Sequence, residues 1–211
     1  MFKNVDSMDE QDLENDFNRL KSEYIKEGKI TIRGKIVKKY LSGKILDVGC
    51  NSNFLHDEIK DYDMIGLDIT IKYVRGKVMK ADGQYMPIKS ESFDSVVAGE
   101  LIEHLKNPEL FLKESHRILK ENGKLIITTP NKKSWWNMIS KSYFIKYHIS
   151  LFTKNELISS LNKVGFSVNE FLFIPYDKFS NPFGAFYTFR KIIHHIVPKN
   201  LKENMIVIAV K

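Results

Sequence analysis

A single cysteine, Cys50, excludes any internal disulfide and suits a reducing compartment. No apolar run approaches the ~20 residues that a membrane-spanning helix needs. The N-terminal stretch MFKNVDSMDEQDLENDF is polar and acidic, without the apolar centre of a secretory signal. No internal repeat or low-complexity tract interrupts the chain. These absences lead to the expectation of a cytoplasmic protein. What is present is ordinary for a globular domain: 43% hydrophobic and 28% charged residues over 211 positions, enough for one domain with a sizeable core. The formal charge of +7 is spread over many lysines and forms no block. It suits an anionic partner (nucleic acid, an anionic lipid surface or a phosphorylated substrate), or simply a solvated surface.

Hydrophobic periodicity alternates between helix and strand. Leu13, Phe17, Leu20 and Tyr24 predict a helix over 8–28, and Ile30, Ile32, Ile36, Val37 and Tyr40 a second over 30–41. Strands are expected at 44–48, 63–68, 78–82, 92–98, 124–129, 166–174 and 205–210. A helix is expected at 53–60, and only nine residues, 69–77, join the second and third strands, which predicts a clipped crossover. Pro108 opens a helix over 108–121 that Asn122-Gly123 closes, and Thr153 with Glu156 caps another over 154–163 that ends at Gly165. The pattern is that of an open α/β sheet with helices on both faces.

Candidate functional residues gather at the predicted strand ends: Asp47 and Gly49, Asp68, Asp82, and Gly99 with Glu100. Ligands of open α/β sheets bind outside those ends. Gly49 lets backbone approach a ligand closely. Asp68 has two oxygens for two ribose hydroxyls, and Asp82 suits an exocyclic amine. A carboxylate at Asp47 would repel a pyrophosphate, so a phosphate-free ligand with a cationic amino-acid end fits this turn better. S-adenosylmethionine has that character.

Six stretches in register carry a family resemblance: KILDVGC (44–50), IGLD (65–68), the AD…MP…SFDSVV series (81–97), GELIEH (99–104), FLKESHRILKENGKLIITTPN (111–131) and HISLFTKNELISSLNKVGF (148–166). Together they resemble class I S-adenosylmethionine-dependent methyltransferases over about 40–170. The resemblance implies a Rossmann-like seven-strand sheet, doubly wound, with the last strand antiparallel. It implies one domain, 1–211: an N-terminal helical cover (1–42), a cofactor-binding core (43–170), an acceptor-side insert (171–204) and a last strand (205–211). The cofactor residues it implies are Asp47, Gly49, Cys50, Asn51, Asp68, Ile69, Asp82, Gly83 and Gly99. Arg33 is a further candidate, either for the cofactor carboxylate or for a surface role. The family's turn continues with further glycines, whereas Asn51 and Asn53 stand here; asparagine tolerates left-handed backbone.

Glu100, Glu103 and His104 would share one face if helical, and His148 precedes a helix start that could return to the same edge. Two carboxylates with imidazole suit Mg²⁺ or another divalent cation. The pattern resembles the ubiquinone-biosynthesis O-methyltransferases and the small-RNA 3′-terminal 2′-O-methyltransferases. That resemblance implies a cation on neighbouring acceptor oxygens, with Glu103 and His104 catalytic. Without a cation, His104 would serve as a base or contact the acceptor. His116, His194 and His195 are expected in surface or packing roles.

Trp135, Trp136, Tyr143, Phe144 and Tyr147, and the aromatic stretch 171–198, fall where acceptor lids sit in this fold. Aromatic walls suit a ring-bearing small molecule, a glycan or a lipid-like acceptor. Lys191 among Ile192, Ile193, Ile196 and Val197 also suits peripheral membrane contact. The expected activity is transfer of a methyl group to a hydroxyl oxygen. The alternatives are an RNA methyltransferase and a non-catalytic S-adenosylmethionine-binding protein.

Overall fold

The computed structural model describes residues 31–51, 55, 62–71, 76–139, 148–174, 193 and 196–211. The helix expected at 8–28, nearly all of that at 53–60, the middle of the 69–77 connection, and Tyr143, Phe144, Tyr147, His194 and His195 lie outside these residues.

Seven strands form one sheet: β1 (Ile45–Val48), β2 (Met64–Asp68), β3 (Lys77–Lys80), β4 (Phe93–Gly99), β5 (Leu119–Pro130), β6 (Ser167–Ile174) and β7 (Asn204–Val210). Their order is β3-β2-β1-β4-β5-β7-β6. The pairs from β3 to β5 are parallel, and β7 runs antiparallel to both β5 and β6. The doubly wound sheet with a reversed last strand is therefore as expected. Chain order reverses at β1, where β2 lies on one side and β4 on the other. That is the switch point at which such sheets open a crevice.

Four helices are described: α1 (Ile32–Tyr40), α2 (Pro108–Ile118), α3 (Trp135–Ile139) and α4 (Lys154–Val164). Val37 of α1 and Leu41 pack with Ile45, Val97, Ile126, Ile206 and Ile208 on one face. Phe111, Leu112 and Ile118 of α2 and Leu157 and Leu161 of α4 pack with Leu46, Val96, Leu125 and Val207 on the other. The central strands are apolar on both faces, as burial between two helical layers requires.

The ends of α4 follow their local chemistry. Thr153 Oγ1 accepts from Glu156 N–H while Glu156 accepts from Thr153 N–H, and Gly165 closes the helix at φ 106°. Removing the cap by Thr153→Ala is expected to cost about 1 kcal/mol of stability, read as a lower urea midpoint at unchanged slope.

One boundary differs from expectation. α2 stops at Ile118, not at Asn122-Gly123, because Leu119 already pairs with Phe93 of β4. Asn122, at φ 62°, and Gly123 instead make a bend inside β5, so that the next β4 partner, Ser95, meets Lys124. A Cβ at Gly123 would lie 2.8 Å from the Lys120 carbonyl, so this asparagine–glycine signal marks a strand bend. β6 continues through Ile174 and β7 begins at Asn204. They match the strands expected at 166–174 and 205–210, with 175–203 between them.

Candidate active site

At the carboxyl end of β1 the chain turns sharply. Gly49 sits at φ 74° and Asn51 at φ 44°. Gly49 N–H donates to the Leu67 carbonyl at 2.7 Å, tying the turn to β2. A Cβ at Gly49 would lie 2.9 Å from Leu101 Cδ1, so both backbone angle and space call for glycine. Asn51 takes the left-handed conformation that the family meets with glycine. Its N–H donates to Asp68 Oδ2 at 2.8 Å, and Thr70 N–H donates to Asp68 Oδ1 at 2.8 Å. Asp68 is thus fixed by one amide on each oxygen, with lone pairs left on both. Ile69, next to it, is 64% exposed.

Asp47 and Cys50 are buried at the same turn. Burial, with Asp47 and Asp68 adding, pushes the Cys50 thiol up to about 12. Cys50 is therefore a packing residue and not a nucleophile.

Beyond β3, Ala81 N–H reaches the Asp68 carbonyl at 3.0 Å, bringing Asp82 beside the β2 end. Asp82 Oδ1 accepts from Gln84 N–H at 2.8 Å. A Cβ at Gly83 would lie 2.8 Å from Val48 Cγ1. Gly83→Ala is expected to cost roughly 1–3 kcal/mol by forcing β1 and this loop apart. Thermal unfolding should register that loss, together with weaker cofactor binding.

The end of β4 departs from the helical face expected there. Glu100 has φ 55°, and the only helical turn that follows is a 3₁₀ turn over Ile102–His104. Glu100 is bonded instead to partners from other elements. Its Oε1 accepts from Thr128 Oγ1 at 3.0 Å and lies 3.5 Å from Arg33 Nη1. A Cβ on Gly99 would meet Thr128 Oγ1 at 3.7 Å and Arg33 Cζ at 3.9 Å, ordinary contacts, so packing does not demand glycine there.

Glu103, His104 and His148 do come together, with one ligand atom from each within 4.8 Å of the others. Glu100 lies outside this group. The two imidazoles are 4.9 Å apart between ring centroids. Glu103 is completely buried: Oε2 accepts from Thr129 Oγ1 at 3.0 Å, and Oε1 has no hydrogen-bond partner. Burial first, and Glu100 second, push its carboxyl well above the usual carboxylate range. Ser150 fastens the His148 segment, donating from N–H to the Glu103 carbonyl at 2.9 Å and from Oγ to the Leu105 carbonyl at 2.8 Å. Thr128, Thr129 and Ser150 escaped the sequence reading. The signal available was two threonines at a strand's carboxyl end beside an acid-rich turn.

After β5, Trp135 is buried edge-on against Trp136, 5.5 Å between centroids. Asn131 anchors this segment: its amide donates to the Asn200 and Lys202 carbonyls, and its own carbonyl accepts from Asn137. Met138 and Ile149 remain 63% and 59% exposed. His116 packs edge-on against Phe166, the packing role expected of it. Among the described residues, no helix is long and apolar enough to cross a membrane.

This constellation of strand-end carboxylates and a glycine turn can be compared with known proteins. The pattern of the methyltransferase-domain family matches residues 16–170. The chain belongs to that family. An uncharacterized protein of Methanocaldococcus jannaschii is 31% identical to this methyltransferase domain, over 66% of this chain and 64% of that one. The mitochondrial ubiquinone biosynthesis O-methyltransferase of Rattus norvegicus is 32% identical, over 44% of this chain and 33% of that one. The chain thus spans from one third to just under two thirds of these relatives. A S-adenosylmethionine-dependent methyltransferase from Thermotoga maritima shares the fold, with a TM-score of 0.64 and 24% identity over 84% of this chain and 87% of that one.

Proposed function

We propose that this methyltransferase domain is an enzyme that transfers a methyl group from S-adenosylmethionine to a hydroxyl oxygen of a small molecule, with a divalent cation held beside the acceptor. The donor set fits the cofactor. Asp68 would accept from the ribose hydroxyls, and Asp82 from the adenine amine, with Ile69 against the base. The Gly49–Asn51 turn, Cys50 backbone included, would run beside the amino-acid portion. Asp47 would face the ammonium group and Arg33 the carboxylate, with Gly99 beside Arg33 at the end of β4. Bound S-adenosylmethionine supplies a methyl group already activated on sulfur. The chain's own task is then to align the acceptor and remove its proton.

The observation that carries the acceptor reading is Glu103. A fully buried carboxyl with one oxygen bare, converging with His104 and His148, is incomplete as a purely structural arrangement. A divalent cation there would supply Lewis acidity and lower the acceptor hydroxyl's pKa. It would also offset the cost of ionising a buried carboxyl. Thr129 holds Glu103, and Ser150 holds the segment that carries His148. The same arrangement serves a second reading in which Glu103 orients a histidine base without a cation.

The ubiquinone-pathway relative favours a small ring-bearing acceptor, and the exposed Met138 and Ile149 suit an apolar one. A panel of catechols, glycan hydroxyls and short RNAs, assayed with methyl-labelled S-adenosylmethionine, tests the class. Label on a catechol-type hydroxyl, lost with chelator and restored by Mg²⁺, is expected. Label retained in chelator favours the histidine-base reading. Cofactor binding with no acceptor labelled at all would sink the enzyme assignment.

A further inference from the structure

α2 grips the loop that follows β3. The Arg117 guanidinium is forked onto Glu114: Nε donates to Oε1 at 2.7 Å and Nη2 to Oε2 at 2.8 Å. It also reaches two backbone carbonyls, Ile88 from Nη1 at 2.6 Å and Met86 from Nη2 at 3.0 Å. Glu114 Oε2 in turn accepts from Met86 N–H at 2.8 Å. The pairing holds the Glu114 carboxyl below its usual range and raises Arg117, so both stay charged. All three bonds to the loop backbone are therefore charge-assisted and stronger than neutral ones.

A second hold lies upstream. Asn107 N–H, just before α2, donates to Gln84 Oε1 at 3.1 Å. Gln84 then bonds back to Asp82 Oδ1, from its backbone N–H at 2.8 Å and from its side-chain amide at 3.2 Å. Two linkages therefore run from one helix to one loop, and Asp82 stands at the end of the second. Gly83 is wedged against Val48, so a shift of this loop moves Asp82 relative to β1.

We propose that Glu114 and Arg117 are positioning residues for ligand recognition: by clasping Met86 and Ile88 they set where Asp82 stands, and hence how well the site tells an adenine amine from a carbonyl. This rests on the reading of Asp82 as the partner of the cofactor's base. Neither residue touches the ligand; each acts through the loop.

Calorimetric titration with S-adenosylhomocysteine and with S-inosylhomocysteine reads the base end alone, because the two differ only along one edge of the base, where inosine carries a carbonyl for the amine and an N1–H donor for the bare N1. The unaltered protein is expected to prefer the adenine ligand. Arg117→Met should weaken S-adenosylhomocysteine about tenfold and S-inosylhomocysteine far less, so that the preference shrinks. Arg117→Lys keeps the charge without the fork; it should give a smaller loss of preference and serves if the methionine variant does not fold. In an Asp82→Ala background the Arg117 change should no longer alter the preference. Equal weakening of both ligands, or an unchanged preference, overturns the clasp as a positioning device while Asp82→Ala still abolishes the preference. If Asp82→Ala leaves the preference intact, the reading of Asp82 falls instead, and the proposal with it.

Discussion

Asp68→Ala is expected to raise the dissociation constant for S-adenosylmethionine by at least about 100-fold. Two losses combine. The ribose would lose an acceptor with two oxygens, and each hydrogen bond to a charged group contributes about 1.5–3 kcal/mol. The turn would also lose its tie, because Asp68 is the acceptor for both Asn51 N–H and Thr70 N–H. Asn51 already sits at φ 44°, a conformation that a non-glycine residue adopts at a cost. Without the carboxylate nothing in that pair of bonds holds it there. Asp68→Asn, which keeps one acceptor oxygen, should lie between the two. Calorimetry reads all three proteins, and a change under threefold for Asp68→Ala would remove Asp68 from the cofactor site.

Glu103→Ala should separate binding from turnover. Cofactor affinity is expected to stay within about threefold, while methyl transfer falls about 100-fold or more, the scale of a lost acid–base or cation contribution. The separation follows from position. Glu103 lies past the end of β4 with the two histidines, whereas most of the residues proposed for the cofactor lie at β1, β2 and the loop after β3. Glu103→Gln preserves shape and an acceptor for Thr129 but not the anionic charge. It should therefore fold normally and still lose Mn²⁺ binding, measured by electron paramagnetic resonance. Equal transfer rates for Glu103→Gln and the unaltered protein would show that neither charge nor cation at this position serves the reaction.

The half of the site proposed for the cofactor was legible in the sequence because its signals are local. A short apolar run, an acid, and then a glycine within two residues of it place a turn at a strand end, whatever the rest of the chain does. Asp68 ends the next apolar run, and Asp82, with Gly83 after it, lies just past the third strand. Even the asparagine substitution was readable, since Asn51 can adopt the backbone that the turn demands. The Asn122-Gly123 pair misled because a helix stop and a strand bend use the same residues. Pairing of Leu119 with Phe93 decided between them, and that pairing spans 26 positions of sequence.

The half proposed for the acceptor was legible only as a list of residue types. Helical spacing put Glu100 with Glu103 and His104, but a left-handed residue at the strand exit turned Glu100 towards Arg33 and Thr128. Sequence by itself determined the alternation of elements, the strand-end carboxylates and the turn, because each depends on neighbours a few residues apart. Tertiary structure alone decided which carboxylate keeps an unpartnered oxygen among the histidines, which one is held by a threonine and an arginine, and which loop α2 clasps. Those outcomes depend on burial and on partners from distant strands, and no local pattern encodes either.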